Sequence, residues 1–165
     1  MSANSSVYVH SAFGWWEIAG SDSAITSIRH LERAPELQSK TPPPVLLEAK
    51  RQLSEYFEGS RQTFDLPLDF GEATPFQQRV WQKLLEVPFG QTTSYGKIAA
   101  ELGDKNAMRA VGLANRHNRF AIVVPCHRCI AKNGDLQGYF YGLDFKRKLL
   151  ALENPLSFAE QGILF

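Results

Sequence analysis

At Thr74 the chain changes its period, and that change divides what it can fold into. Thr74-Pro75-Phe76-Gln77 has the form of a capping box: a hydroxyl to accept from the backbone three residues on, a proline whose missing N–H is harmless at the first helical position, and a glutamine able to reach back. Beyond it, Phe76, Val80, Trp81, Leu84 and Leu85 share one helical face, which predicts a helix from Pro75 to about Glu86, ended by Pro88-Phe89-Gly90. Before it the pattern is that of short strands. Val7 and Val9, Trp15 to Ala19 and Ala24 to Ile28 are rich in β-branched and aromatic residues and are broken by Gly14, Gly20 and Asp22.

The breaker run Thr41-Pro42-Pro43-Pro44 leads into Val45 to Phe57, which suits a helix stopped by Gly59. Phe64 to Phe70 alternates as a strand does, with Pro67 confining it to an edge. The expected fold class is therefore an α/β N-terminal lobe, a small antiparallel sheet plus helix over residues 1–73, followed by a mainly α C-terminal lobe over 74–165. The first lobe carries no obvious chemistry and is read as structural. A hydrophobic content of 44% lets 165 residues bury a core without metals or disulfides. Met1 to Ser11 lacks the basic-then-apolar form of an export signal, and no apolar run suits a membrane helix, so the expectation is a cytoplasmic protein with reduced thiols.

The net charge of +1 hides an asymmetry. Residues 1–73 hold six Lys and Arg against ten Asp and Glu, a net of −4, whereas residues 74–165 hold twelve against seven, a net of +5. A basic second half points toward a polyanionic partner. Ser94 can cap a second helix beginning at Tyr95 and stopped by Gly103, and a third is expected from Asn106 to about His117. Two helices joined by a short glycine-containing turn have helix-turn-helix spacing. Ala107, Ala110, Gly112 and Ala114 leave the third helix little bulk, while Arg109, Gly112 and Arg116 fall on one stripe. Such a helix suits close approach to a sugar-phosphate backbone; the alternative is that its alanines pack against the neighbouring helix.

Phe120 to Val124 reads as a buried strand delivering Pro125-Cys126-His127-Arg128-Cys129. Cysteine attacks as its thiolate, which a neighbouring base or cation would have to populate near neutrality. Extended residues would send the two side chains to opposite faces, so coupling of Cys126 to His127 requires a turn after Pro125 or a bridging water. Glu153, at the end of the helical run Phe145 to Leu152, is a candidate to orient the imidazole. A buried structural cysteine, a C-x-x-C redox pair and half a zinc site are the alternatives; the zinc reading lacks a second cysteine pair, and only four histidines are available.

Taken together these motifs resemble the O6-alkylguanine-DNA alkyltransferase family. The resemblance rests on Val124-Pro125-Cys126-His127-Arg128, on Arg109-Ala110-Val111-Gly112 with Asn115 and Asn118, on Thr93-Ser94-Tyr95, and on Gly138-Tyr139, Gly142-Leu143 and Leu149 to Glu153. It is strong from about Thr74 to Glu153 and rests on length and pattern before that. It implies that Cys126 accepts the alkyl group, that His127 is the base acting through a water, and that Glu153 orients His127. Tyr95 would help rotate the target nucleotide and polarise the leaving guanine, Arg109 would fill the gap left in the duplex, and Asn118 would brace the turn before the acceptor. Ala110, Gly112, Arg116 and Arg128 would contact DNA, and Tyr139 and Tyr141 would line the guanine pocket.

The resemblance further implies irreversible, single-turnover repair of O6-alkylguanine, and of O4-alkylthymine, in double-stranded DNA through minor-groove nucleotide flipping. No cofactor and no metal are expected; the free protein is expected to be monomeric, with cooperative assembly on DNA left open. Three residues depart from the family pattern. Arg119 stands where proline is usual, which loosens the turn or adds a phosphate contact; Cys129 replaces an aliphatic residue; and Phe140-Tyr141 implies a narrower pocket that takes methyl better than benzyl groups. The competing readings are a lesion sensor that binds without transfer and a cysteine hydrolase using Cys126, His127 and Glu153.

Overall fold

The computed structural model describes residues 4–36, 41–134, 136 and 138–159. It divides into two compact units, 1–72 with 119–121 and 73–118 with 122–165. In the first, β1 (Ser5–Ser11), β2 (Gly14–Gly20) and β3 (Ile25–Leu31) form an antiparallel sheet in the order β1-β2-β3. Val7 opposes Ile18 and Val9 opposes Trp16, so the period-two alternation sends these side chains to one buried face. Helix α1 (Pro44–Phe57) covers that face with Leu46, Ala49, Leu53, Tyr56 and Phe57, and Phe57 packs against Trp16 at a ring separation of 5.4 Å.

Two sequence expectations in this unit give way to tertiary hydrogen bonding. Phe64 to Phe70 is not a strand: it contributes one parallel bridge, Leu68 to Ile25, flanked by Pro67, which has no N–H to extend a ladder. The buried Gln52 amide takes the place of a neighbouring strand at Asp65, accepting from its N–H at 2.9 Å and donating to its carbonyl at 3.1 Å. Phe120 to Val124 is buried as expected but is not a strand either. Only Phe120 makes a bridge, to Ile28 on the edge of the sheet. The chain then turns through Ile122 at φ 73°, a conformation β-branched residues rarely adopt, and it is held there by its burial. Arg119, exposed, donates through Nη2 to the Phe70 carbonyl, a tie within the first unit.

The second unit is mainly helical, with α2 (Pro75–Leu85), β4 (Thr93–Ser94), α3 (Tyr95–Glu101), α4 (Met108–Arg116), a single 3₁₀ turn (Cys126–Arg128), β5 (Cys129–Ile130), α5 (Leu143–Glu153) and α6 (Pro155–Ala159). Both halves of the capping box are formed at α2, with Gln77 N–H to the Thr74 hydroxyl at 3.1 Å and Thr74 N–H to the Gln77 amide oxygen at 3.0 Å. Trp81 of α2 donates its indole N–H to the Ala114 carbonyl at 2.9 Å, which ties α2 to α4. Ser94 caps α3 through the Lys97 N–H, and Gly103 at φ 88° follows its C-terminus, so α3 and α4 form the helix-turn-helix pair. No helix among the described residues is long and apolar enough to cross a membrane.

Candidate active site

The Cys126 thiol is set by a turn, as coupling to its neighbour requires. Pro125 sits at φ −84°, ψ 65° with the Cys126 N–H on the Val124 carbonyl at 2.8 Å, an inverse γ-turn. The 3₁₀ turn that follows is closed by Arg128 N–H to the Pro125 carbonyl at 2.9 Å. Asn118 braces both sides of this bend: its Nδ2 donates to the Val124 carbonyl at 2.8 Å and lies 3.2 Å from Cys126 Sγ.

His127 and Glu153 meet in the interior. His127 Nε2 is 2.6 Å from Glu153 Oε2, with both side chains essentially inaccessible. Burial alone would raise the Glu153 carboxyl, but the hydrogen bonds and charges of His127 and Arg128 outweigh it and hold it well below the usual carboxylate range. An ionised carboxylate only accepts, so the proton of this contact resides on Nε2. Burial also lowers the His127 pKa, keeping the ring neutral. Nδ1, buried and without a hydrogen-bond partner among the described residues, is then the basic nitrogen.

Arg128 was expected to contact DNA. It is instead buried, with Nε on Glu153 Oε1 at 2.8 Å, Nη2 on Oε2 at 3.2 Å and Nη1 on the Val87 carbonyl at 2.7 Å. A guanidinium so enclosed has its donors spent on the protein. Gly90 completes the carboxylate shell, its N–H on Glu153 Oε1 at 3.2 Å. The segment that sequence marks only as a helix stop is thus part of the site: Gly90 has φ 80°, and a Cβ there would come within 3.2 Å of the Glu153 carbonyl.

Cys126, buried, lines a cavity of about 680 Å³. One wall comes from α3 and α4, with Tyr95, Arg109, Gly112, Asn115 and Arg116; the other comes from the segment before α5, with Ala131, Lys132, Gly138, Tyr139 and Phe140. Tyr95 opens α3, half-buried, and burial followed by the nearby thiols pushes its phenol far up, so it is a neutral donor. The Tyr139 hydroxyl is buried, with no hydrogen-bond partner among the described residues. Tyr141 is not among the lining residues; its ring packs edge-on against Tyr139 at 5.8 Å and Phe140 at 4.9 Å. On α4, Arg109, Ala110 and Arg116 are exposed together with Met108 and Leu113, while Val111, Ala114 and Asn115 turn inward. The small residues therefore divide: Ala114 packs inside and Ala110 faces out.

Burial pushes the Cys126 thiol up, partly offset by the Asn118 hydrogen bond and the Lys146 charge. This corrects the expectation of a thiolate populated near neutrality: the resting group is a thiol, and any attack by it needs that proton removed first. Cys129, also a free thiol, is held up to about 12 by burial. Among the described residues no three His, Cys, Asp or Glu side chains are grouped to hold a metal ion.

Sequence reasoning missed Lys146. It is fully buried, and its ammonium donates to the carbonyls of Cys129, at 2.6 Å, of Leu136, and of Gly138, at 3.2 Å. Burial pushes its pKa down to about 8, which leaves the ammonium charged near neutrality and able to serve three acceptors. The available signal was a lysine on the α5 stripe that also carries Leu149, Leu150 and Glu153.

Comparison with known proteins agrees with this geometry. Residues 75–155 match the 6-O-methylguanine DNA methyltransferase DNA-binding domain, and residues 6–70 match the ribonuclease-like domain of the same methyltransferase. A methylated-DNA–protein-cysteine methyltransferase of Mycobacterium tuberculosis is 47% identical over 148 residues, covering 88% of this chain and 89% of that protein. The crystal structure of the Mycobacterium tuberculosis O6-methylguanine methyltransferase superposes with a TM-score of 0.81 at 44% identity, covering 93% of this chain and 94% of the other. A crystal structure of Mycobacterium tuberculosis OGT in complex with DNA superposes with a TM-score of 0.80 at 44% identity, covering 92% of each chain. With both of its units matched and that extent of likeness, the chain belongs to the 6-O-methylguanine DNA methyltransferase family and is an enzyme of that class.

Proposed function

We propose that the chain repairs alkylated double-stranded DNA by moving the alkyl group of O6-alkylguanine, and of O4-alkylthymine, onto Cys126, once per molecule. The observation that carries this reading is a buried cysteine in the lining of a cavity large enough for a purine, with a basic imidazole nitrogen on the adjacent residue. A base stacked in a duplex cannot reach a buried sulfur, so the nucleotide has to leave the helix.

In this reading α4 enters the minor groove with Arg109, Ala110, Gly112 and Arg116, and Arg109 fills the gap. Gly112 supports it. A Cβ there would meet only the Tyr95 ring at 3.9 Å, an ordinary contact, so packing within the protein gives no reason for glycine in mid-helix, whereas close approach of another molecule does. His127 Nδ1 takes the Cys126 proton through a water, Sγ forms a bond to the alkyl carbon, and the carbon–O6 bond breaks with its electron pair going to guanine. Tyr95, a neutral phenol, donates to the departing base, and Tyr139 lines the pocket that holds it. The product thioether offers water no electrophilic carbonyl and no good leaving group, so the cysteine is consumed. The free protein is read as a monomer.

The test is incubation with a duplex carrying O6-methylguanine labelled in the methyl group. One label per molecule on Cys126, lost in Cys126→Ser, is the expected result. Binding without label would favour a lesion sensor, and turnover of an ester or amide a hydrolase; either would overturn the proposal.

A further inference from the structure

Asn115 is the one α4 side chain that both lines the cavity and is almost wholly buried, at 8% exposure, and among the described residues neither Nδ2 nor Oδ1 has a nitrogen or oxygen partner, the Cys129 thiol being its polar neighbour. A carboxamide at the wall of a cavity with no partner stronger than a thiol, itself a weak one, is set for a ligand, because a leucine of nearly the same size would fill the place at little cost in hydrogen bonds. Its depth is fixed by a neighbour. The carboxamide lies beside the Cys129 thiol, and Cys129 follows Cys126 by one 3₁₀ turn, its N–H on the Cys126 carbonyl. Asn115 therefore stands beside the turn that carries Cys126, at the level of its sulfur.

That level belongs to the transferred group. For displacement, Sγ, the alkyl carbon and O6 have to lie nearly in line with sulfur and carbon roughly 3 to 3.5 Å apart, which puts the purine on the far side of the carbon. Whatever the carbon carries projects sideways, at the depth of the sulfur, into the wall that Asn115 forms. A methyl group offers this wall nothing, whereas a hydroxyl two bonds out can donate to Oδ1 and accept from Nδ2. Resting on the reading proposed above, we infer that Asn115 is a specificity-determining residue that selects adducts whose alkyl group ends in a hydrogen-bonding head, O6-(2-hydroxyethyl)guanine being the simplest.

The experiment compares single-turnover rates on duplexes carrying O6-(2-hydroxyethyl)guanine or the near-isosteric O6-propylguanine, with O6-methylguanine in a parallel reaction. The wild-type protein should favour hydroxyethyl over propyl by about tenfold or more, the discrimination a site built to bond a hydroxyl achieves. Asn115→Leu should bring that ratio to about one or below. A wild-type ratio near one overturns the inference without any variant, and so does a ratio unchanged in Asn115→Leu; should that variant not fold, Asn115→Ala is read in the same way. Loss of methyl transfer by the wild type would overturn the underlying reading instead, and methyl transfer with no head-group preference overturns this inference alone.

Discussion

Arg128 grips Glu153 at two points, Nε to Oε1 at 2.8 Å and Nη2 to Oε2 at 3.2 Å, while the same carboxylate receives His127. The pairing locks the carboxylate plane, so His127 is oriented by two groups that never reach the cavity surface.

Arg128→Leu should then act on stability rather than on DNA contact. Removing one partner of a buried pair strands the other charge, at a cost of about 3–5 kcal/mol, read as a fall in the denaturant midpoint. The salt dependence of duplex binding should stay as in the wild type, whereas Arg109→Ala should flatten its slope by roughly one. A flattened slope in Arg128→Leu with intact stability would show that the guanidinium is at the DNA after all.

Acid should weaken the fold in two stages. The His127 pKa is depressed below 6.5 in the folded state, so as pH falls the unfolded chain takes up its proton first, and stability held above 6.5 is lost on the way down. Glu153 is depressed below 4.5 in the same sense, adding a second loss at lower pH. Urea midpoints measured from neutrality to about pH 2.5 should fall, with the lower stage, below about pH 4.5, removed in Glu153→Gln. Midpoints that rise on acidification would contradict both directions.

Gly112→Ala should separate stability from repair. The added methyl meets the Tyr95 ring at 3.9 Å without a clash, and alanine in mid-helix is favoured over glycine by about 0.5–1 kcal/mol, so the melting temperature should rise. Transfer from duplex DNA should slow by about tenfold, because the methyl keeps the groove wall away and a misplacement of an ångström is that costly or more. Unchanged transfer with a raised melting temperature would mean that nothing approaches this face closely.

Lys146→Met keeps the stem and removes the ammonium from the carbonyls of Cys129, Leu136 and Gly138. Two buried acceptors and one at the part-buried Gly138 lose a charged donor, each buried bond being worth about 1.5–3 kcal/mol before relaxation. The segment that carries Tyr139 should become a site of proteolytic cleavage, with a stability loss of at least about 3 kcal/mol. Resistance to proteolysis equal to the wild type would show that the segment is held by other contacts.

Much of this molecule can be read from local pattern, because local pattern is set by neighbours in the chain. The capping box at Thr74, the Ser94 cap, the three-stranded antiparallel order and the adjacency of Cys126 and His127 need only a few consecutive residues to specify them. What the tertiary structure decided depends on groups far apart in sequence. The Phe120 to Val124 run is apolar enough for a strand, yet its partners at Ile28 and Asn118 make it a turn with Ile122 at positive φ. Arg128 looks like a surface base in any linear reading, and only the return of α5 brings Glu153 to it and makes it interior. Lys146 and Asn115 acquired their places in the same way. Burial, which is a property of the assembled unit, set the protonation of the site: it keeps Cys126 a thiol and His127 a neutral base, and no spacing of residues along the chain encodes that.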